Sequence, residues 1–347
     1  MKKNISIVTL LCGFAILLAG ALIMSSCEGP TGPAGPAGAD GTDGVDGTNG
    51  TDGTDGVAGN AVCMECHTTA IKTAVYDQWK ETSHGVGYFV GYAGARNDCA
   101  KCHSHEGFTE TVWTGQDTTA ANIPLPQSIR CRTCHEFHVS LDFENEPNSA
   151  IRQMADVALM STGGEVTVGY NNKESNLCMH CHQARRAPAD DTDGSAMVFV
   201  SPHYGPHHGP QAKFINGVGG YEFRQDLSAT GTHLSGADCV CCHMNEGDGT
   251  DGGHTWIPGE AACSTCHANG VPDSDVETKL HSLGEALTTA GMLDEDGHAI
   301  EGVSYQADSV GALWNYLTIE EDASVGVHNP AYAEALLDAS ISALGAK

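Results

Sequence analysis

The sequence predicts a mainly α protein with extensive loops, built around something other than side chains and followed by a C-terminal segment of amphipathic helices. Three observations predict it. Hydrophobic residues make up 40% and aromatic residues 6% of the 347, which is thin for a core packed by side chains alone. From about Asn60 to Asn269 periodicity is poor and Gly, Asn, Asp, Ser and His are frequent, the pattern of short helices joined by long loops. Loops of that length argue against a compact domain unless another group supplies its core. Beyond His267 the pattern changes to amphipathic helix. Val276, Leu280, Leu283 and Leu287 recur at helical spacing after Asp273-Ser274 and before Gly291. Val310, Leu313, Trp314 and Leu317 make a second helix, and Asn329-Pro330, an N-cap and N1 pair, opens a third carrying Leu336, Leu337, Ile341 and Leu344. These helices are expected to pack on the preceding region or on a second copy of the chain, so a homo-oligomer is compatible with them.

Four segments follow: 1–27, 28–60, 61–270 and 271–347. Lys2 and Lys3, an apolar stretch from Ile5 to Met24, and Ser25-Ser26-Cys27 read as an export signal. Small residues before a cysteine resemble a bacterial lipobox, which would make Cys27 the lipidation site and a membrane the partner of the lipid anchor. A retained membrane helix is the alternative, since the run is almost long enough to span a bilayer. From Gly29 to Gly59 a glycine occupies every third position, the Gly-X-Y period of collagen. Pro30, Pro33 and Pro36 stand in the first triplets only, so an extended polar stalk is favoured over a trimeric helix. Fully extended, it reaches at most about 90 to 100 Å at ~3.1 Å per residue and would lift the following domain off a membrane.

Net charge is −28, and about −30 without Lys2 and Lys3 of the leader. Such a surface repels nucleic acid and suits cationic or neutral partners in an exposed location.

Of the 15 cysteines, twelve fall in six Cys-x-x-Cys-His motifs. The pairs are Cys63 and Cys66, Cys99 and Cys102, Cys131 and Cys134, Cys178 and Cys181, Cys239 and Cys242, and Cys263 and Cys266; each is followed directly by His67, His103, His135, His182, His243 or His267. Cys12 and Cys27 belong to the leader, which leaves Cys241 spare and no disulfide framework. Two cysteines three apart form thioethers to the two vinyl groups of one haem, and the next residue then lies under the iron as its proximal ligand. Zinc is the competing reading, because Cys-x-x-Cys pairs also build zinc sites. With 18 His in the chain, six out of six followed by His is a chance event on the order of one in 10⁷ to 10⁸. The expected cofactors are therefore six haem c.

The sixth iron ligand separates a carrier from an enzyme, because an iron with two protein ligands is closed and one with an open face binds small molecules. Twelve histidines remain, double the number needed, while Met154, Met160 and Met197 are the only free methionines that fit the role. The distal candidates are His84, His138, His203, His207, His208, His233 and His254. His84 follows the first motif closely on an expected helix, and His138 is three residues past His135. His203, His207 and His208 share a Gly/Pro-rich loop expected to supply at least two ligands. His233 closely precedes the fifth motif, and His254 lies in the short bridge between the fifth and sixth. His281 reads as a helix-surface residue, His298 as a turn and His180, between two thioether cysteines, as pointing outward; His105 and His328 are left open. Arg130, Arg132, Arg185 and Arg186 are candidates to pair with haem propionates, weighed evenly against ordinary surface arginines.

These motifs resemble those of bacterial multihaem cytochromes of the nitrite reductase, octahaem and tetrahaem superfamily. Weaker phrases add to the likeness: Ser235-Gly236-Ala237-Asp238-Cys239 leading into Cys242-His243-Met244, Gly253-His254-Thr255-Trp256, and Gly326-Val327-His328-Asn329-Pro330. The likeness runs from Ala61 to the end. Nitrite reductases of this kind bind their catalytic haem through Cys-x-x-Cys-Lys, which does not occur here and argues against that activity. The motif set also resembles surface cytochromes that conduct electrons out of the cell, some of which polymerise into filaments. The resemblance implies electron transfer through bis-histidine haems and redox protein partners, with no catalytic residue assigned. The rival is an oxidoreductase acting on a small nitrogen or sulfur oxyanion at one open haem, and a filament subunit is a third reading compatible with the first.

Overall fold

The computed structural model describes residues 69–136, 150–190, 192–229, 231–246 and 251–345. The leader, Cys27, the Gly-X-Y segment, the first motif (Cys63, Cys66 and His67) and His138 lie outside the described residues.

The structure is mainly helical, with long loops and three small antiparallel strand pairs. Each described motif sits on or beside a helical segment of four or five residues: Ala100–His103, Cys131–Cys134, Asn176–Met179, Cys239–His243 and Glu260–Ser264. One turn is all the motif needs, because positions i, i+3 and i+4 share a helix face and so bring both sulfurs and the imidazole to one side. The turn is closed by its own backbone. His103, His182 and His267 N–H donate to the carbonyls of Cys99, Cys178 and Cys263 at 3.2, 2.8 and 2.9 Å. In the fifth motif the Asp238 side chain caps the turn by accepting from Cys241 N–H at 2.8 Å.

Ordinary core lies mostly elsewhere. Val276, Leu280, Leu283 and Leu287 are all buried on the helix Val276–Thr289, as their spacing predicts. The helix Ala307–Asp322 is buried on nearly every side, with Val310, Leu313, Trp314 and Ile319 inside, whereas Leu317 is only half-buried. It packs against both Val276–Thr289 and Pro330–Ala343. Asn329 caps the last helix, accepting from Tyr332 N–H at 3.3 Å, with Pro330 at its first turn. Its amide also donates to the Phe214 and Ala229 carbonyls at 3.3 and 2.6 Å, so the cap doubles as a clamp on the preceding region.

The three helices share their apolar cluster with Val200, Phe214, Tyr221 and Phe223 from the motif-bearing part of the chain. Tyr221 fits because Gly311 lacks a side chain; a Cβ there would lie 2.1 Å from the Tyr221 ring. Both backbone polar groups of Tyr221 are satisfied by the buried Asn315 side chain, at 2.7 and 2.9 Å. A strand pair, Met197–Phe199 with Ser304–Gln306, ties the two parts together again. A smaller cluster of Val157, Leu159, Val168, Tyr170, Met179, Ala212 and Ile215 underlies the fourth motif. Among the described residues no helix is long and apolar enough to cross a membrane.

Candidate haem-binding site

The attachment turns are not spread along the fold in sequence order. Cys102 of the second motif lies within interaction range of Cys181 of the fourth, and Cys178 of the fourth within range of Cys239 of the fifth. The fourth motif therefore sits between the second and the fifth. Arg185, just past the fourth motif, reaches the second: its guanidinium lies 3.8 Å from Cys99 Sγ and 3.8 Å from Asp98.

Four of the five described motif histidines face a second histidine from a remote part of the chain. Ring centres are 6.0 Å apart for His182 and His84, 6.1 Å for His135 and His254, 6.1 Å for His267 and His233, and 6.3 Å for His243 and His328. With iron–nitrogen bonds of about 2 Å, the ring centres of two axial imidazoles on one haem iron lie roughly 6.3 Å apart. The gaps fit an iron held between the rings, and the adjacent Cys-x-x-Cys turn fits the thioether side of the same group. A tetrahedral zinc site would instead draw the two cysteines of each motif onto the metal together with the histidine.

The elements that carry these histidines explain how they are held. His84 lies on the short helix Ser83–Val86, which Thr82 caps by accepting from Gly85 N–H at 3.2 Å. His254 is anchored through its backbone N–H, which donates to Gln78 Oε1 on the helix Thr69–Lys80 at 3.0 Å. Nδ1 of several rings is engaged, which leaves Nε2 as the nitrogen free to bind a metal. His243 Nδ1 bonds the Trp256 carbonyl at 2.8 Å, and His233 Nδ1 the Val327 carbonyl at 2.6 Å. His328 Nδ1 bonds the buried Asp322 carboxylate at 2.8 Å.

Trp256 joins three of these centres. Its carbonyl serves His243, while its ring lies 4.8 Å from that of His84 and 5.7 Å from that of His254. It holds this position with a left-handed backbone, φ 55°.

Burial favours the neutral, metal-binding form of four of these imidazoles. It pushes His84 down to about 4, with help from His182, and lowers His182, His254 and His103 as well. His328 is the exception. Burial opposes its charged form, but the hydrogen bond and charge of Asp322 outweigh it and raise the pKa.

The Gly/Pro-rich loop behaves unevenly. His207 is half-buried, and burial followed by the Arg185 charge takes it down to about 4; it and His103 lie within electrostatic range of each other. His208 is exposed, with Nδ1 3.6 Å from Glu321, and His203 is exposed as well. Both His207 and His208 have positive φ, 71° and 53°, the backbone form expected of a sharp turn. His281 and His298 lie exposed on the surface, and His298 closes a turn on Asp294 Oδ1 at 2.8 Å.

Two histidines depart from the sequence reading. His328, left open there, is brought to His243 because it immediately precedes the buried cap Asn329, which fixes its place against Phe214 and Ala229. That adjacency to an Asn-Pro cap was the signal in the sequence. His180, expected to point outward, instead buries Nε2 completely.

No protein-family model matches the chain. It is 25% identical over 337 residues to the C-type polyheme cytochrome OmcC of Geobacter sulfurreducens, covering 71% of this chain and 42% of that relative. The chain thus spans less than half the length of the curated relative it matches. The crystal structure of the outer cell wall cytochrome OcwA superposes on 78% of this chain and 50% of its own with a TM-score of 0.49 and 21% identity. A chain that repeats the Cys-x-x-Cys-His turn, brings remote imidazoles to face those turns, and aligns over most of its length with a polyhaem relative is similar to multihaem c-type cytochromes.

Proposed function

We propose that this protein is an electron carrier that passes single electrons through six covalently bound c-type haems, each closed by two histidines. The observation that carries the reading is the set of four histidine pairs with ring centres 6.0 to 6.3 Å apart, each beside an attachment turn. In this reading His254, His84, His328 and His233 are the distal ligands of the third to sixth haems, and His207 faces His103 on the second. When bound, each haem supplies a one-electron iron couple; the protein holds, spaces and tunes it.

The chain's own residues suit that task. The approach of the second, fourth and fifth motifs to one another places attachment points side by side, and Trp256 touches ligands of three centres. Paired ligands leave no coordination position for a substrate, which favours transfer over reduction of a small oxyanion. Export, lipidation at Cys27 and a Gly-X-Y spacer would place the carrier at the cell surface, where the net charge of −28 selects cationic or neutral redox protein partners.

The test is spectroscopic. Pyridine haemochrome assay of the holoprotein should give six haems per chain, and electron paramagnetic resonance of the oxidised form only low-spin ferric signals. A redox titration should then take up about six electrons. A high-spin signal from one haem that binds carbon monoxide after reduction, together with turnover of nitrite or hydroxylamine, would replace the carrier with an enzyme.

A further inference from the structure

We propose that the fold gives electron flow a direction, a proposal that rests on the carrier reading above: the fifth haem is held at low potential and the second at higher potential, so electrons enter at the fifth, cross the fourth and leave from the second. Each step oxidises one ferrous iron and reduces the next ferric iron by a single electron, with no bond made or broken. A low-potential redox protein supplies the electron and a higher-potential one takes it.

The route follows from contacts between the attachment turns. Cys181 Sγ of the fourth motif lies 3.8 Å from the Lys101 carbonyl inside the second, and the Arg185 guanidinium, just past the fourth, lies 3.8 Å from Cys99 Sγ. On the other side, Val240 N–H of the fifth motif donates to Ser175 Oγ, just before the fourth, at 3.1 Å, and Asn172 Nδ2 donates to Asp238 Oδ2 at 2.8 Å. The fourth turn is thus joined to both of the others.

Charge supplies the slope. Ferric iron carries one more positive charge than ferrous, so a nearby carboxylate lowers the potential and a nearby cation raises it. Water screens an exposed charge far more than a buried one, so the less exposed member of an ion pair acts more strongly on the iron. At the fifth motif that member is anionic. Asp322 is 1% exposed, lies 2.8 Å from His328 Nδ1, and among the described residues pairs with no Lys or Arg. Asp238 adds a second carboxylate by capping the attachment turn itself. From Gln225 to Thr278, the stretch that holds the fifth and sixth motifs, the sequence has nine acidic residues and no Lys or Arg. At the second motif the cations lie inward. The Lys101 side chain is 12% exposed against 68% for its partner Asp117, and that of Arg185 33% against 58% for Asp98. Arg185 is also tied in place by its backbone N–H, which donates to the Pro206 carbonyl at 3.1 Å.

The test is a spectroelectrochemical titration of full-length holoprotein at matched haem content, read as the part of the curve from which one haem's share of the absorbance change moves. Arg185→Gln should take a share out of the upper half and move it to lower potential. Arg185→Lys keeps the charge and should leave the curve close to wild type, which a purely structural role of the guanidinium would not allow. Lys101→Gln leaves the attachment residues intact and should act in the same direction as Arg185→Gln, even where the arginine variant is poorly made. Asp322→Asn should take a share out of the lower half and move it upward. A share leaving the lower half in both Arg185→Gln and Lys101→Gln, no displacement in either, or a share leaving the upper half in Asp322→Asn would overturn the direction. High-spin ferric signals in the wild-type protein would instead sink the closed-haem reading, so the two failures are told apart.

Discussion

Replacing Asp322 with Asn should raise the midpoint potential of one haem, the fifth. Asp322 is 1% exposed and accepts from His328 Nδ1 at 2.8 Å, while the Ser324 hydroxyl donates to its other oxygen. A carboxylate on the outer nitrogen of an axial imidazole gives the ligand anionic character and stabilises ferric over ferrous iron. From the hydrogen-bond geometry, the charge would lie about 7 Å from the iron. At an effective dielectric of about 20, one unit charge at that range is worth roughly 2.4 kcal/mol, on the order of 100 mV for a one-electron couple. Asn keeps the shape and an acceptor oxygen but removes the charge, so the potential should rise by about that amount. Salt should change the shift little, because the group is buried. The assay is a spectroelectrochemical titration of wild-type and Asp322→Asn holoprotein at matched haem content. Titration curves that superimpose would refute the link from Asp322 through His328 to iron.

Other consequences are as direct. The ring planes of His84 with His182 and His233 with His267 cross at 84° and 87°, whereas those of His135 with His254 and His243 with His328 cross at 40° and 36°. Near-perpendicular imidazoles leave two iron d orbitals close in energy, so oxidised protein should show highly anisotropic low-spin signals beside ordinary rhombic ones; a purely rhombic spectrum would contradict the pairings. Trp314→Ala removes a ring that is 1% exposed and a bond from Nε1 to the Gly219 carbonyl at 2.9 Å. It should cost about 3 to 5 kcal/mol in denaturant unfolding while leaving the haem spectrum of folded protein unchanged. Cys241→Ala should not alter haem content, since Cys239 and Cys242 hold the attachment spacing; loss of one haem would show that the register of the fifth motif is different.

What the sequence determined by itself is what depends on near neighbours along the chain. Two cysteines and a histidine at i, i+3 and i+4 meet on one turn whatever surrounds them, so the turns of the five described motifs were legible without tertiary structure. The same holds for the stripe Val276, Leu280, Leu283 and Leu287 and for the Asn329-Pro330 cap, both of which the structure contains as expected. The distal partners are a different kind of information. His84 meets His182, and His328 meets His243, only because chain folding closes long loops, and many histidines could have served equally well before that closure. Spacing identified His84, His233 and His254 as candidates but could not separate His207 from the exposed His203 and His208, which share its loop and composition. It also misjudged His180, because projection from a turn says which way a side chain leaves the helix and not whether solvent or protein lies there. Tertiary packing alone decided that, by setting Phe108 beside the ring and burying its Nε2.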